Sequence, residues 1–322
     1  MSKRFDMVGL GEAMVEFNQT TPGQPNYLQG FGGDTSNATI AAARAGARTA
    51  YLTRLGADTF GDALINLWER ENVATHAVER DTQAHTAVYF VTHGRNGHEF
   101  SYLRAGSAAS RMSPQWLNAG TADAIADAKI LHLSGISLAI SPEAHDTAFA
   151  AMKVARDAQT LVSFDSNLRL KLWTLAQAQT SIERTLTLAD IFLPSLEDMV
   201  ALTGLSDPQE IVTWSHARGA KTVVLKLGAQ GALVSDGTVR KALPGHAVTL
   251  VDATGAGDCF CGNLLARVCA GDDIFEAARY ANAAAALAVQ GFGAVGPLPN
   301  PAQVLDMLGV PYQPENLKIP TT

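Results

Sequence analysis

Cysteine is scarce. There are three in 322 residues, Cys259, Cys261 and Cys269, and no CxxC pair among them. That spacing reads as small thiols packed in one helix of a reduced, cytoplasmic protein, with a redox or metal role as the alternative. Positive charge is also short: 24 Lys and Arg face 31 Asp and Glu, a net charge of −7. A nucleic-acid binder would carry a basic stripe, so that class is excluded. An acidic chain that handles anionic ligands must gather its cations locally. No long uninterrupted apolar run is present. The most apolar stretch, AARYANAAAALAVQGFGAV, is rich in Ala and broken by Asn282, Gln290 and Gly291, as a buried helix is and a membrane span is not. MSKRFDMVGLGEAM lacks the apolar centre of a secretory signal. Internal repeats, low-complexity tracts and long linkers are absent.

What is present is an ordinary globular composition, 47% apolar and 17% charged, enough for a sizeable core. The length suits one large α/β domain with an embellishment, or two domains. FDMVGL, ended by Gly11, predicts a buried strand. SNATIAAARAGA predicts a helix with Asp34, Thr35 and Ser36 as candidate caps and Gly46 as its stop. RTAYLTRLG reads as a strand and DALINLWERENV as a helix. TAVYFVTHG and HEFSYLRAG alternate, carry aromatics and flank a Gly/Asn turn at Gly94–Gly97, which predicts an antiparallel hairpin. From residue 125 the order becomes regular: strands AKILHLSGI, TLVSFDSN, IFLPS and KTVVLKLGAQ alternate with helices opened by Ser141-Pro142-Glu143, AQAQTSIERTLTLA, LEDMVALTG and DPQEIVTWSHARGA. Such alternation implies a mostly parallel sheet covered on both faces. The extended material at about 12–30 and 86–105 does not fit and predicts a small separate sheet. Ligands of parallel sheets bind at the carboxyl ends of the strands. Gly32-Gly33 with Asn37, residues 165–169, Ser195 to Asp198, Lys226-Leu227-Gly228 and Asp252 to Asp258 all fall there.

The most informative stretch is VDATGAGDCFCGNLLARVCAG, residues 251–271. Gly255, Ala256 and Gly257 leave the backbone bare where a helix begins, which makes an anion hole of unpaired N–H groups at a positive dipole end. Asp258 then sets one carboxylate beside the hole. Phosphoryl transfer uses both parts, since charge on non-bridging oxygens needs donors and an attacking alcohol needs a base. The plainer alternative is a turn with Asp258 as its N-cap. There is no GxxxxGK[ST] loop, and VGLGEAMVEF fails as a dinucleotide fingerprint because Met14 stands where the third glycine belongs.

DATGAGDCFCG resembles the DTxGAGD signature of the ribokinase-like (PfkB) sugar kinases, and FGGDTSNATIAAARAG resembles their GGxxxN motif. The likeness extends from the first strand through KLG to NAAAALAVQGFGAV. Within the family, SFDSNLRLKLW, FSYLRAGSAAS and PSLEDMVALTG are most similar to 2-keto-3-deoxygluconate kinases. The resemblance implies a single ribokinase-like domain, residues 1–322, built as a three-layer α/β sandwich with a β-sheet lid that often makes the dimer interface. It implies Asp258 as catalytic base, Gly255, Ala256 and Gly257 as anion-hole residues, and Arg169 as support for substrate and transferring phosphate. It places Ser195, Lys226 and Gly228 along ATP, with Asn282 and Gly293 flanking the adenine. Asp252 and Thr254 match a monovalent-cation (K⁺) loop of some relatives. One departure stands out: where relatives carry NxxE, this chain reads Ser195-Leu196-Glu197-Asp198. Asp198 has the shorter reach, so Mg²⁺ is expected to arrive with ATP and meet Asp198 through water.

A keto acid also carries a carboxylate, and the planar fork of arginine matches two oxygens. Arg104 on the hairpin and Arg169 after DSN therefore favour an acidic sugar over neutral fructose or ribose. Tyr89 and Tyr102 are placed to cap the ligand, and Gly33, Asp34 and Asn37 to meet its hydroxyls. Plainer roles exist for each: a surface Arg104, a structural Arg169, and cross-strand packing for the two tyrosines. His132, inside KILHLSG, reads as a core histidine; His85, His93 and His98 read as exposed hairpin residues. Glu12 and Glu16 either face the site or pin the lid. A catalytically dead sugar sensor is the competing class, and the retained Asp258 opposes it.

Overall fold

The hydrophobic segments that read as strands assemble side by side. The computed structural model describes residues 3–94 and 97–311. In chain order, β1 (Phe5–Leu10) is followed by β2 (Met14–Gln19) and β3 (Tyr27–Gly32), then α1 (Asp34–Arg44), β4 (Thr49–Gly56), α2 (Thr59–Arg70), β5 (Val73–Ala74) and β6 (Val78–Asp81). A second excursion makes β7 (Val88–Gly94) and β8 (Gly97–Leu103). The regular part runs α3 (Ala119–Ala126), β9 (Ala128–Ser134), α4 (Gly135–Ala139), α5 (Pro142–Asp157), β10 (Leu161–Asp165), α6 (Leu175–Leu186), β11 (Ile191–Phe192), α7 (Leu196–Thr203), α8 (Pro208–Ala217) and β12 (Thr222–Lys226). Then come β13 (Gly231–Ser235), β14 (Arg240–Pro244), α9 (Ala256–Ala270), α10 (Ile274–Ala288) and α11 (Pro301–Met307).

The large sheet has the order β14-β13-β12-β11-β10-β9-β1-β4-β5, with β6 also paired to β4. From β12 to β5 every pairing is parallel; β13 and β14 add an antiparallel edge. Along β1 the side chains alternate between two cores. Val8 and Leu10 join the cluster supplied by α3, α5, α6 and α8, while Met7 joins the one supplied by α1, α9 and α10. These are the three layers expected. The small sheet has the order β3-β2-β7-β8, its two hairpins joined by the parallel pair β2–β7. The middle of the turn expected at Gly94–Gly97, residues 95 and 96, lies outside the described residues. No helix among the described residues is long and apolar enough to cross a membrane; the Ala-rich stretch forms α10, largely buried.

Two local readings are corrected. α1 is capped by Gly33 with no side-chain cap bond, so Asp34, Thr35 and Ser36 lie inside its first turn. Gly33 has φ 117°, and a Cβ there would sit 2.6 Å from the Glu12 carbonyl oxygen, a position only glycine fills. IFLPS supplies only the two-residue β11, because Pro194 has no N–H for the ladder. The helix at Ser141-Pro142-Glu143 forms as read: Ser141 Oγ accepts from Ala144 N–H, and Pro142 stands in the first turn.

α1 and α9 touch closely. A Cβ on Gly262 would fall 2.1 Å from the Ala38 carbonyl oxygen, so the absence of a side chain sets their separation. That contact lays the start of α9 beside the start of α1.

Candidate active site

The turn before α9 has the form the sequence predicts. Gly255 is the N-cap, with φ 75° and no side-chain cap bond. A Cβ on it would lie 2.8 Å from the Ala294 Cβ. Gly255→Ala therefore combines left-handed strain of about 1–2 kcal/mol with a steric clash against the loop after α10. We expect a lowered melting temperature together with weaker ATP binding, read by calorimetry; unaltered ATP binding would detach this turn from the nucleotide. The Ala256 amide is already bonded to the Ala253 carbonyl (3.2 Å), which leaves the anion-hole role to the helix-start amides that follow it.

Asp258, in the first turn of α9, points at the start of α1. Asn37 Nδ2 donates to Asp258 Oδ2 at 2.8 Å. Across the cleft, Asn167 Nδ2 donates to Asp34 Oδ2 at 2.6 Å, with Asn167 held at φ 26°. Asp34 Oδ1 and Asn37 Oδ1 are buried and unpaired, two acceptors matched to ligand hydroxyls. Burial, then the charge of Asp34 and that of Asp165, push the Asp258 carboxyl up to about 7; the Asn37 bond and Lys226 oppose them. A carboxyl poised there is matched to taking a proton near neutral pH.

The carboxyl ends of β10 and β12 and the loops beside them form a second group. Lys226 Nζ donates to Asp165 Oδ2 at 2.7 Å and approaches Cys261 Sγ at 3.5 Å. The same nitrogen lies 3.5 Å from where a Cβ on Gly257 would be, so the ammonium borders the anion hole. Ser195 Oγ caps α7 by accepting from Asp198 N–H (3.1 Å), and Ser166 Oγ donates to Asp198 Oδ2 (2.7 Å). Asp252 Oδ1 accepts from Thr254 N–H and Oγ1 at 2.9 and 2.7 Å, while its Oδ2 accepts from Gly293 N–H at 2.9 Å. The proposed cation loop and the proposed adenine loop are thus tied together. Gly228, φ 58°, opens the turn after β12. Asn282 is buried and donates to the Pro244 carbonyl at 3.4 Å. Among the described residues no three His, Cys, Asp or Glu side chains gather as a metal cage.

The small sheet supplies the opposite wall. Tyr89 lies over Gly32, where a Cβ would meet its hydroxyl at 2.5 Å, and donates that hydroxyl to Glu16 Oε2 at 2.5 Å. Tyr102 pairs with it across β7–β8, the rings stacked at 5.6 Å, also stacks with Phe100 at 6.3 Å, and is 43% exposed. Arg104 is ion-paired with Glu12, whose side chain is fully buried and also accepts from Ser107 Oγ at 2.7 Å. Arg169 is exposed, and its Nη1 bonds the Leu168 carbonyl at 2.9 Å. The structure therefore joins Asn37 with Asp258 and Asp34 with Asn167 at the starts of α1 and α9, and joins Tyr89 with Tyr102 and Arg104 with Glu12 on the small sheet, while Arg169 makes no bond to either group. His132 is the core histidine expected: buried, 3.1 Å from Ser163 Oγ, its proton affinity lowered to about 4 by desolvation. Asp165, Ser166 and Asn167 belong to the site although the sequence assigned them no role. The polar run directly after an apolar strand was the signal.

This geometry has known counterparts. Residues 5–301 match the model of the pfkB family of carbohydrate kinases. The chain is 33% identical to probable fructokinase-4 of Arabidopsis thaliana, over 94% of this chain and 96% of that one. It is 34% identical to a 2-dehydro-3-deoxygluconokinase of Thermoproteus tenax, over 94% of each. The fructokinase of Vibrio cholerae, solved with fructose, ADP and calcium, superposes with a TM-score of 0.83 at 31% identity, covering 94% of this chain and 99% of that one. A motif match, whole-length identity and a superposed fold agree: the chain belongs to the pfkB family of carbohydrate kinases.

Proposed function

We propose that the protein transfers the γ-phosphoryl group of ATP to the C6 hydroxyl of 2-keto-3-deoxygluconate, giving 2-keto-3-deoxy-6-phosphogluconate and ADP. Asp258 takes the hydroxyl proton as that oxygen bonds to phosphorus and the bond to ADP breaks. The amides after Ala256, with Arg169 reaching in from the DSN loop, bind the phosphoryl oxygens. Gly33 lets the sugar approach the backbone, Asp34 and Asn37 take its hydroxyls, and Tyr89 and Tyr102 cover it. ATP lies along Ser195, Lys226, Gly228, Gly255 and Gly257, its base between Asn282 and Gly293. The turn at 255–257, small residues at a helix start with the Lys226 ammonium 3.5 Å from the Gly257 Cβ position, fits a phosphate. When bound, Mg²⁺ would neutralise charge on the phosphates, and Asp198, held by Ser166 Oγ, would be the carboxylate that faces it. Asp252 and Thr254 would hold a monovalent cation. The kinase proposed is a single ribokinase-like domain, 1–322, with a lid from about 12–30 and 86–105.

The observation that carries the acidic substrate is Arg104, whose side chain is only 14% exposed at the end of the lid hairpin. A neutral sugar such as fructose is the second reading, because Glu12 offsets that charge and fructokinases are among the relatives. Tyr27, Leu28, Phe100, Tyr102 and Leu103, all exposed on the lid, support a homo-oligomer formed through it. The free cysteines support a reducing cytoplasmic setting.

A coupled assay of ATP consumption across keto-deoxy acids, fructose, ribose and adenosine tests the substrate. The keto acid should lead in kcat/KM by at least about 100-fold. A lead by fructose or ribose would replace the first reading with the second.

A further inference from the structure

The carboxyl ends of β10 and β12 flank that of β11, and the side chains they carry meet over it. Asp165 is 6% and Lys226 13% exposed at the side chain, so the pair is screened from water. The carboxylate is held on a second side: Cys261 Sγ donates to Asp165 Oδ2 at 3.2 Å, from one turn below Asp258 on α9. Its other oxygen accepts from Asn167 N–H at 3.2 Å. The lysine backbone is fixed as well, with Lys226 N–H donating to the Pro194 carbonyl at 2.8 Å. The side chain is thus anchored at its root by the sheet and at its tip by Asp165, and the tip borders Gly257.

We propose that Asp165 is a positioning residue for phosphoryl transfer: its carboxylate holds the Lys226 ammonium against the Gly255–Asp258 turn, where charge develops on the migrating group. A flexible lysine stem otherwise samples many rotamers. Pinned at one end of the phosphate track, the charge is preorganised rather than recruited. The proposal rests on the kinase reading of this turn but is independent of which sugar is used.

The pair also acts on Asp258 with opposite signs. Facing that carboxyl are Asp34 and Asn37 from α1, Asp165 from β10, Lys226 from β12, Tyr89 from β7, Tyr51 from β4, and Cys259 and Cys261 from α9 itself. The Asp165 charge raises its proton affinity and the Lys226 charge lowers it. D165N should therefore move the acid limb of the kcat/KM profile to lower pH, and K226M should move it to higher pH, each by at least about half a pH unit. A merely structural pair would scale the rate equally at every pH.

The test uses the full chain, D165N and K226M. ATP affinity is measured by titration calorimetry without acceptor, and pH profiles are taken with the acceptor the screen identifies. The expected result is about tenfold weaker ATP binding in both variants, a sugar KM within about twofold of the parent, and limbs displaced in opposite directions. Limbs that coincide in all three proteins, or ATP affinity unchanged in both variants, would overturn it. If D165N does not fold, the direction of the K226M limb decides. If the parent phosphorylates no acceptor, the kinase reading falls by itself, and the pair is judged on ATP affinity alone.

Discussion

Asp258→Asn should lower kcat by about 10²–10⁴-fold and leave both KM values nearly unaltered. Asparagine keeps the shape and still offers Asn37 Nδ2 an oxygen, replacing the 2.8 Å bond of the parent. What disappears is the proton acceptor. In the parent, kcat/KM should climb as pH rises through about 7, where Asp258 loses its proton; in the variant that limb should be gone. Stability should move the other way. The folded-state proton affinity of Asp258 lies above its ordinary value, so the stability it contributes is complete at low pH and is lost as pH rises through about 7. Asparagine carries no charge to desolvate, so D258N should melt higher than the parent at pH 8, by less at pH 5, and show little difference only below the ordinary carboxylate range. An inactive protein that is also more heat-stable has not failed by unfolding. A rate within twofold of the parent would remove Asp258 as the base.

The features legible in the sequence were local ones. The GAGD turn announces itself because small residues, a carboxylate and a helical run are contiguous, and the burial patterns of β1, β4 and β9 follow from short apolar runs bounded by glycine or polar residues. What the sequence hid was pairing over distance. Asn37 meets Asp258 across 221 residues, Asn167 meets Asp34 across 133, and Lys226 meets Asp165 across 61. Nothing in a one-dimensional pattern links such partners, so Asp165 and Asn167 were visible as polar residues at a strand end but not as partners. The start of α1 failed for a related reason. Asp34, Thr35 and Ser36 all have cap chemistry, yet Asp34 is drawn to Asn167, and the left-handed φ at Gly33 turns the chain instead. β5 and β6, of two and four residues, are too short for periodicity to speak, and β13 and β14 follow β12 as antiparallel strands with no helix between them, outside the alternation that marks the other strands. Glu12 was left between two readings, and the structure joins them. It lies where the chain enters the small sheet, Arg104 and Ser107 lie where the chain leaves it, and the three are bonded together.

That bonding changes what Arg104→Ala would measure, and the change is large. Truncation removes the proposed anchor for a substrate carboxylate and also strands Glu12, a fully buried carboxyl whose proton affinity is already raised by desolvation against the pull of Arg104 and Ser107. Breaking one side of a buried ion pair costs about 3–5 kcal/mol when the other charge remains. Glu12 can escape that cost only by taking a proton. Since its folded-state value is raised, the stability it contributes is present below the ordinary carboxylate range and lost as pH rises through the folded value. R104A should thus melt progressively lower between pH 5 and pH 8, a slope that E12Q/R104A should lack. The substrate role is then read in the neutralised background, E12Q against E12Q/R104A. A charged hydrogen bond lost in that comparison is about 1.5–3 kcal/mol, so KM for the keto acid should rise roughly 10- to 100-fold and KM for fructose should stay within about twofold. If the two proteins bind the keto acid equally, Arg104 is a structural partner of Glu12 and the acidic substrate loses its support. If E12Q alone already tightens the keto acid while leaving fructose unmoved, the buried carboxylate is the group the substrate competes with for the guanidinium.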